Sequence, residues 1–192
     1  MKDTQKIIIF NLILIFCLTA FMKVKAESDS TALSLKITNG SLSVAAPESA
    51  TFTGTDFSFT GQTSGNNSIG NIQTTDARGN RAGWGINITA SDWQDSSNPA
   101  KTMKYNGDGV SEGQLALDVP EITGVASLAG DGVTGMTMGQ DAAFGASAIK
   151  LITAPAGYGS GQYDISGLNA SQYIPGNQQT GDYVTTLTLT IS

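Results

Sequence analysis

The sequence predicts an all-β fold: an antiparallel β-sandwich of Ig-like architecture, carrying long Gly/Asp-rich loops and preceded by an N-terminal signal-peptide helix. Three observations predict it. Apolar and polar residues alternate in short runs broken by Gly and Asn, the pattern of half-buried strands and tight turns. Gly accounts for 23 of 192 residues, and Ser, Thr, Asn and Asp fill most of the space between apolar positions. Beyond the N-terminus, no window of eleven or more residues carries a helical period. Eight or so short strands in about 160 residues are usually closed around one core as a sandwich.

The N-terminus comes first. Lys2 and Lys6 precede an apolar run from Ile7 to Met22, and Val24-Lys25-Ala26 follows with small residues where a signal peptidase reads. The run is shorter than the roughly 20 residues of a spanning helix, so cleavage after Ala26 is expected rather than an uncleaved anchor. Cys17 could mark a lipoprotein, but Phe16 stands where a lipobox needs a small residue. The expected organisation is therefore a signal peptide, residues 1–26, and a single domain, residues 27–192. Without residues 1–26 the chain has 6 Lys and Arg against 15 Asp and Glu, a net charge of −9. That balance argues against nucleic acid or an anionic membrane as partner. The single Cys leaves with the signal, so the domain has no disulfide and must rely on an extended core.

The clearest strands are Trp84–Ala90 and Tyr183–Ile191. In the first, Trp84, Ile86, Ile88 and Ala90 share a face; in the second, Tyr183, Thr185, Leu187, Leu189 and Ile191 do so. Weaker candidates are Leu33–Ile37, Phe52–Phe59, Ile69–Thr75, Leu115–Val119, Ile149–Thr153 and Gln162–Ser166. Turn signals separate them at Asn39-Gly40, Gly79-Asn80, Asn106-Gly107 and Pro175-Gly176. The stretch 107–144 reads as long loops inserted between strands. Ala-rich Gln140–Leu151 reads as a loop or short helix leading into a strand.

Candidate chemistry is limited. There is no His, and no Cys outside the signal, which excludes Ser-His-Asp and Cys-His sites and the usual structural zinc. Asp92 and Asp95 around Trp93 are the one carboxylate cluster suited to glycosidase chemistry, and a β-turn after the Trp84 strand accounts for them equally well. No enzyme and no cofactor is expected. Asn106, Asp108 and Glu112 in a Gly-rich loop are oxygen donors of the kind Ca²⁺ takes, without EF-hand spacing, and solvated loop acids are the default reading. Of the two tryptophans, Trp84 is in phase with the core face. Trp93 is expected to be the exposed one, an anchor for a sugar face or a partner protein.

From about Leu33 to Ser192 the chain resembles the WxL domain, a cell-surface module of Gram-positive bacteria. The likeness is carried by Thr75-Asp76-Ala77-Arg78-Gly79, by Gly83–Ala90, and by Ile174-Pro175-Gly176 leading to Gly181-Asp182-Tyr183 and the terminal strand. The family's Trp-x-Leu motif is matched by Trp84-Gly85-Ile86. Its Tyr-x-x-x-Leu-Thr-Trp-x-Leu motif is matched at Tyr183, Leu187 and Thr188, with Leu189 in place of Trp and Ile191 in place of the last Leu. The resemblance implies a secreted, wall-associated protein held non-covalently by peptidoglycan or by other surface proteins, with no membrane contact after signal cleavage. No sortase motif is evident. The positions it marks for contact are Trp84, Ile86, Tyr183, Leu187, Thr188 and Leu189, to which Trp93 is added as the exposed aromatic. A different class is a subunit of a surface fibre, pilus or matrix built by strand addition; no donor strand or Lys-Asn isopeptide pair stands out in the sequence. A carbohydrate-binding accessory module is a third.

Overall fold

The computed structural model describes residues 3–5 and 32–192. Contacts divide the chain into two units, Met1–Ile37 and Thr38–Ser192. Residues 3–5 are helical; the rest of the expected signal peptide lies outside the described residues.

Among the described residues every strand lies in the second unit. In chain order they are β1 (Leu42–Ala45), β2 (Gln62–Thr63), β3 (Asn67–Ser68), β4 (Ile72–Asp76), β5 (Trp84–Ala90), β6 (Trp93–Asp95), β7 (Thr102–Met103) and β8 (Gln114–Asp118). They continue with β9 (Val125–Gly130), β10 (Thr137–Met138), β11 (Ala142–Ala143), β12 (Ile149–Ala154), β13 (Gly161–Ile165), β14 (Asn169–Ile174), β15 (Tyr183–Val184) and β16 (Leu187–Ile191). All pairings are antiparallel. The sheets run β1-β4-β13-β9, β10-β12-β5-β16, β11-β8-β14-β2 with β3 also on β14, and β15-β6-β7. The fold is all-β and sandwich-like.

Two bent ladders organise these sheets. In the first, β4 on β13 continues as β3 on β14, joined where the Ile69 N–H donates to the Leu168 carbonyl. In the second, β5 on β16 continues as β6 on β15. The second bends at Ser91: its N–H donates to the Thr186 carbonyl at 3.1 Å, and its hydroxyl accepts the Thr186 N–H at 3.1 Å. The ladders touch at both ends through a tryptophan, Trp84 of β5 on Tyr163 of β13 and Trp93 of β6 on Gln172 of β14.

Period two sets what is buried. Ile72, Thr74 and Asp76 of β4, Trp84, Ile86 and Ile88 of β5, and Leu115 and Leu117 of β8 all point to one core. A bulge between Lys150 and Ile152 breaks the alternation in β12, so Leu151 and Ile152 are both buried. Each of these aliphatic side chains contributes about 1.5–3 kcal/mol on full burial.

Several expectations are corrected. Tyr183–Ile191 does alternate, but the Ser91 corner divides it into β15 and β16 in different sheets. Leu33–Ile37 and Phe52–Phe59 are not strands. The Asn39-Gly40 turn does not form. Neither residue has positive φ, and the Gly40 N–H donates to the Ala77 carbonyl at 2.8 Å, so the chain runs on extended from β1. The stretch 107–144 is not only loops: it supplies β8 and the edge strands β9, β10 and β11. Of the two readings of residues 140–151, the loop leading into a strand is the one seen: short β11, then loop, then β12. β14, which the sequence hid, is the spine of its sheet.

Candidate binding groove

The sequence-marked positions separate into a closed end and an open one. At the closed end, Trp84 is 3% exposed and its indole N–H donates to the Gly159 carbonyl at 2.7 Å. Gly159 has φ +78°, and a Cβ there would meet Trp84 and Ala154 within 2.7 Å, so only glycine brings the chain this close. Tyr163, fully buried, donates its hydroxyl to the Asp131 carbonyl at 3.0 Å, and burial pushes its phenol pKa up. Ile86 is fully buried behind Trp84. Nearby, Asp76 is buried and grips Arg78 through both oxygens at 2.9 and 3.0 Å, and the Arg78 hydrogen bonds hold its carboxyl below the usual range. The Asp-x-Arg within 75–79 thus fixes the turn into β5, as Arg78 also donates to the Gly83 carbonyl at 2.7 Å.

At the other end Trp93 is 8% exposed, which overturns its expected role as the exposed aromatic. Its indole N–H donates to Gln172 Oε1 at 2.8 Å, and Phe52 packs on it edge-to-face at 5.4 Å. Gln172 is itself buried and fully engaged: its Nε2 donates to the Lys104 and Tyr173 carbonyls, and its backbone N–H donates to Ser64 Oγ. An unpaired polar group here would carry its full desolvation cost; the network removes it.

The acids around Trp93 organise turns. Asp95, 1% exposed, accepts the Ser97 hydroxyl at 2.6 Å and the Ser97 and Asn98 N–H groups, and its other oxygen lies 3.4 Å from Lys101 Nζ. These bonds, that from the Ser97 hydroxyl foremost, hold its pKa down to about 2. Asp92 pairs with Lys104 at 2.9 Å. The turn therefore lies after β6 rather than between β5 and Trp93. In the loop weighed for calcium, Asp108 spends its oxygens on the Val110, Ser111 and Glu112 N–H groups and the Ser111 hydroxyl, all within 2.9 Å, which holds its carboxyl far below the usual range. Among the described residues no three His, Cys, Asp or Glu converge on a common point.

Beyond Trp93 a groove of about 770 Å³ opens. One wall is residues 46–55, the other residues 181–187 with Leu189, and Ile69, Ile72, Trp93, Met103 and Leu115 form an apolar floor. Tyr183, Leu187 and Leu189 border it and are half-buried; Thr188 points to solvent on the opposite side of β16. The Tyr183 hydroxyl accepts from Gln178 Nε2 at 2.7 Å and donates to the Gln179 carbonyl at 2.8 Å, which pins the loop before β15. Four of the seven marked residues, Trp93, Tyr183, Leu187 and Leu189, thus meet at one groove; Trp84 and Ile86 are core, and Trp84 borders a separate shallow depression.

Comparison with protein-family models and with curated proteins finds no match.

β16 adds a second property to the groove. Ser192 and Gly85 exchange both backbone bonds, so by period two Thr190 and Thr188 face β5, while Leu187, Leu189 and Ile191 aim their N–H and C=O groups outward. Among the described residues β16 is a sheet edge with no second hydrogen-bonded strand. β1 runs near it without pairing. The wall at 46–55, Phe52 and the Gln172 network escaped the sequence reading. Gln172 is a polar residue at a core phase, and only its neighbours' two-residue spacing hinted at a strand.

Proposed function

We propose that this chain is an exported, non-catalytic, WxL-like cell-surface protein that associates non-covalently with wall peptidoglycan or partner surface proteins, and that it does so through the groove beside β16. The observation carrying this reading is the convergence of Trp93, Tyr183, Leu187 and Leu189 on an apolar groove with an open strand edge. Buried aromatics shape the groove; they are not themselves the contact. An apolar floor beside unpaired backbone groups suits an extended chain better than a flat sugar face, which favours a protein partner within this reading.

The test is to incubate residues 27–192 with purified Gram-positive wall, with and without its proteins, and pellet. Every described strand and core residue lies in 38–192, so this chain keeps the whole fold. Co-sedimentation that survives neutral salt, is released by denaturant and is lost in Leu187→Asp supports the reading. Protein wholly in the supernatant of both wall preparations contradicts the wall arm.

A further inference from the structure

Leu33, Leu35 and Ile37 are 95%, 88% and 85% exposed. These three alternating aliphatics are the most exposed large apolar side chains among the described residues, ahead of Phe59 at 78%. Their segment, Leu-Ser-Leu-Lys-Ile, repeats the pattern of β16, Leu-Thr-Leu-Thr-Ile: same length, same aliphatics in the same order, hydroxyl or long polar residues between. A segment written like an edge strand of this sandwich, lying unburied, fits beside one.

We propose that residues 33–37 of one copy add as a strand to the outward edge of β16 in a second copy, laying Leu33, Leu35 and Ile37 into its groove. This rests on the reading of the groove as a contact site and names its partner as a second copy of this chain. Backbone complementarity comes from the outward N–H and C=O groups of Leu187 and Leu189, which border the groove. Charge is compatible: Lys36 is the one charge of the donor segment, and the described residues of the groove walls include Glu48 and Asp182 and no Lys or Arg. A fold-back onto the same copy would protect the 33–37 amides in a monomer, which the exchange measurement below reads. Each copy then offers a donor strand and an acceptor edge at different places, a head-to-tail contact that propagates as a chain of subunits.

The test uses residues 27–192 and sedimentation velocity over a wide concentration range. Wild type is expected to form oligomers that grow with concentration. Leu35→Asp, at a position almost wholly in water, leaves the fold intact and should weaken association at least tenfold; Ser34→Asp, on the polar side, should change it less than threefold. Leu189→Asp spoils the acceptor. An equimolar mixture of Leu35→Asp and Leu189→Asp, each monomeric alone, should give a heterodimer and nothing larger. Near-UV circular dichroism verifies that Leu189→Asp is folded, and the Leu35→Asp arm stands without it. A wild type monomeric at every concentration overturns the proposal, as do oligomers indifferent to Leu35→Asp, or a monomer in which the 33–37 amides are protected from exchange. Wall pelleting of the same samples is read separately: a monomer that pellets with wall keeps the proposed function and loses this inference.

Discussion

The two tryptophans occupy equivalent places in the second ladder, yet their surroundings differ in the one respect that matters. Trp84 is sealed: Gly159 closes over its indole, Tyr163 lies against it at 5.9 Å, and β5 beneath it is paired on both sides. Trp93 is as firmly hydrogen-bonded, but it forms the floor of a groove whose rim is an unpaired strand edge. Burying an aromatic thus closes the core at one end and floors an open groove at the other. What distinguishes the ends is the backbone beside the ring.

That contrast can be broken most severely at the closed end. Trp84→Ala should cost about 4 kcal/mol, because it removes the ring packed on Tyr163 and leaves the Gly159 carbonyl without its donor. Trp93→Ala should cost about 3 kcal/mol, since the groove lets solvent reach the space left behind. Denaturant unfolding of the two variants checks the order; equal losses would mean the groove does not relieve the cavity. Next comes Gln172→Leu, which removes the acceptor of the Trp93 N–H and the partner of the Lys104 carbonyl. About 2 kcal/mol is expected from the groups left unpaired, seen as a shift in the urea midpoint.

Gly159→Ala should cost a similar or slightly smaller amount, about 1–2 kcal/mol, from forcing a side chain at positive φ against the indole. Its sign is unambiguous, and thermal unfolding would show it. The smallest effect concerns acid. Asp95 has a folded pKa of about 2, lowered from 3.8, so its contribution is fully present above pH 3.8 and is lost as pH falls through about 2. Stability should decline across that window, and Asp95→Asn should reduce the slope by about one proton. A slope unchanged in Asp95→Asn would show that the carboxylate is equally engaged in the unfolded chain.

The sequence disclosed the elements that carry large apolar residues at their core positions. Trp84–Ala90, Leu115–Val119, Ile149–Thr153 and Gln162–Ser166 match β5, β8, β12 and β13 within a residue or two, because their core phases carry Trp, Ile, Leu, Val or Tyr. β14 stayed hidden because its core phase carries Ala170 and Gln172, one small and one polar, so alternation has no hydrophobic contrast. The exposure of Trp93 was misjudged for a related reason: Asp92 and Asp95 beside it read as solvent, whereas Asp95 is buried by its own turn. Position along the chain also misled at Leu33–Ile37. Its period is that of a strand, but a strand needs a partner edge, and residues 33–37 take part in no ladder among the described residues. Half of the groove was legible through Tyr183, Leu187 and Leu189. The other half, residues 46–55, has no periodicity to read.

The central claim, that the β16 edge rather than either tryptophan is the contact surface, is tested most directly by amide hydrogen exchange along the C-terminal strand. In dilute protein, Thr188 and Thr190 should be protected by β5 while Leu187, Leu189 and Ile191 exchange quickly. At concentrations where the protein associates, or with partner bound, Leu187 and Leu189 should become protected and the Trp84 region should not change. Uniform protection of all five residues in the dilute protein, or association that leaves Leu187 and Leu189 fast, would contradict it.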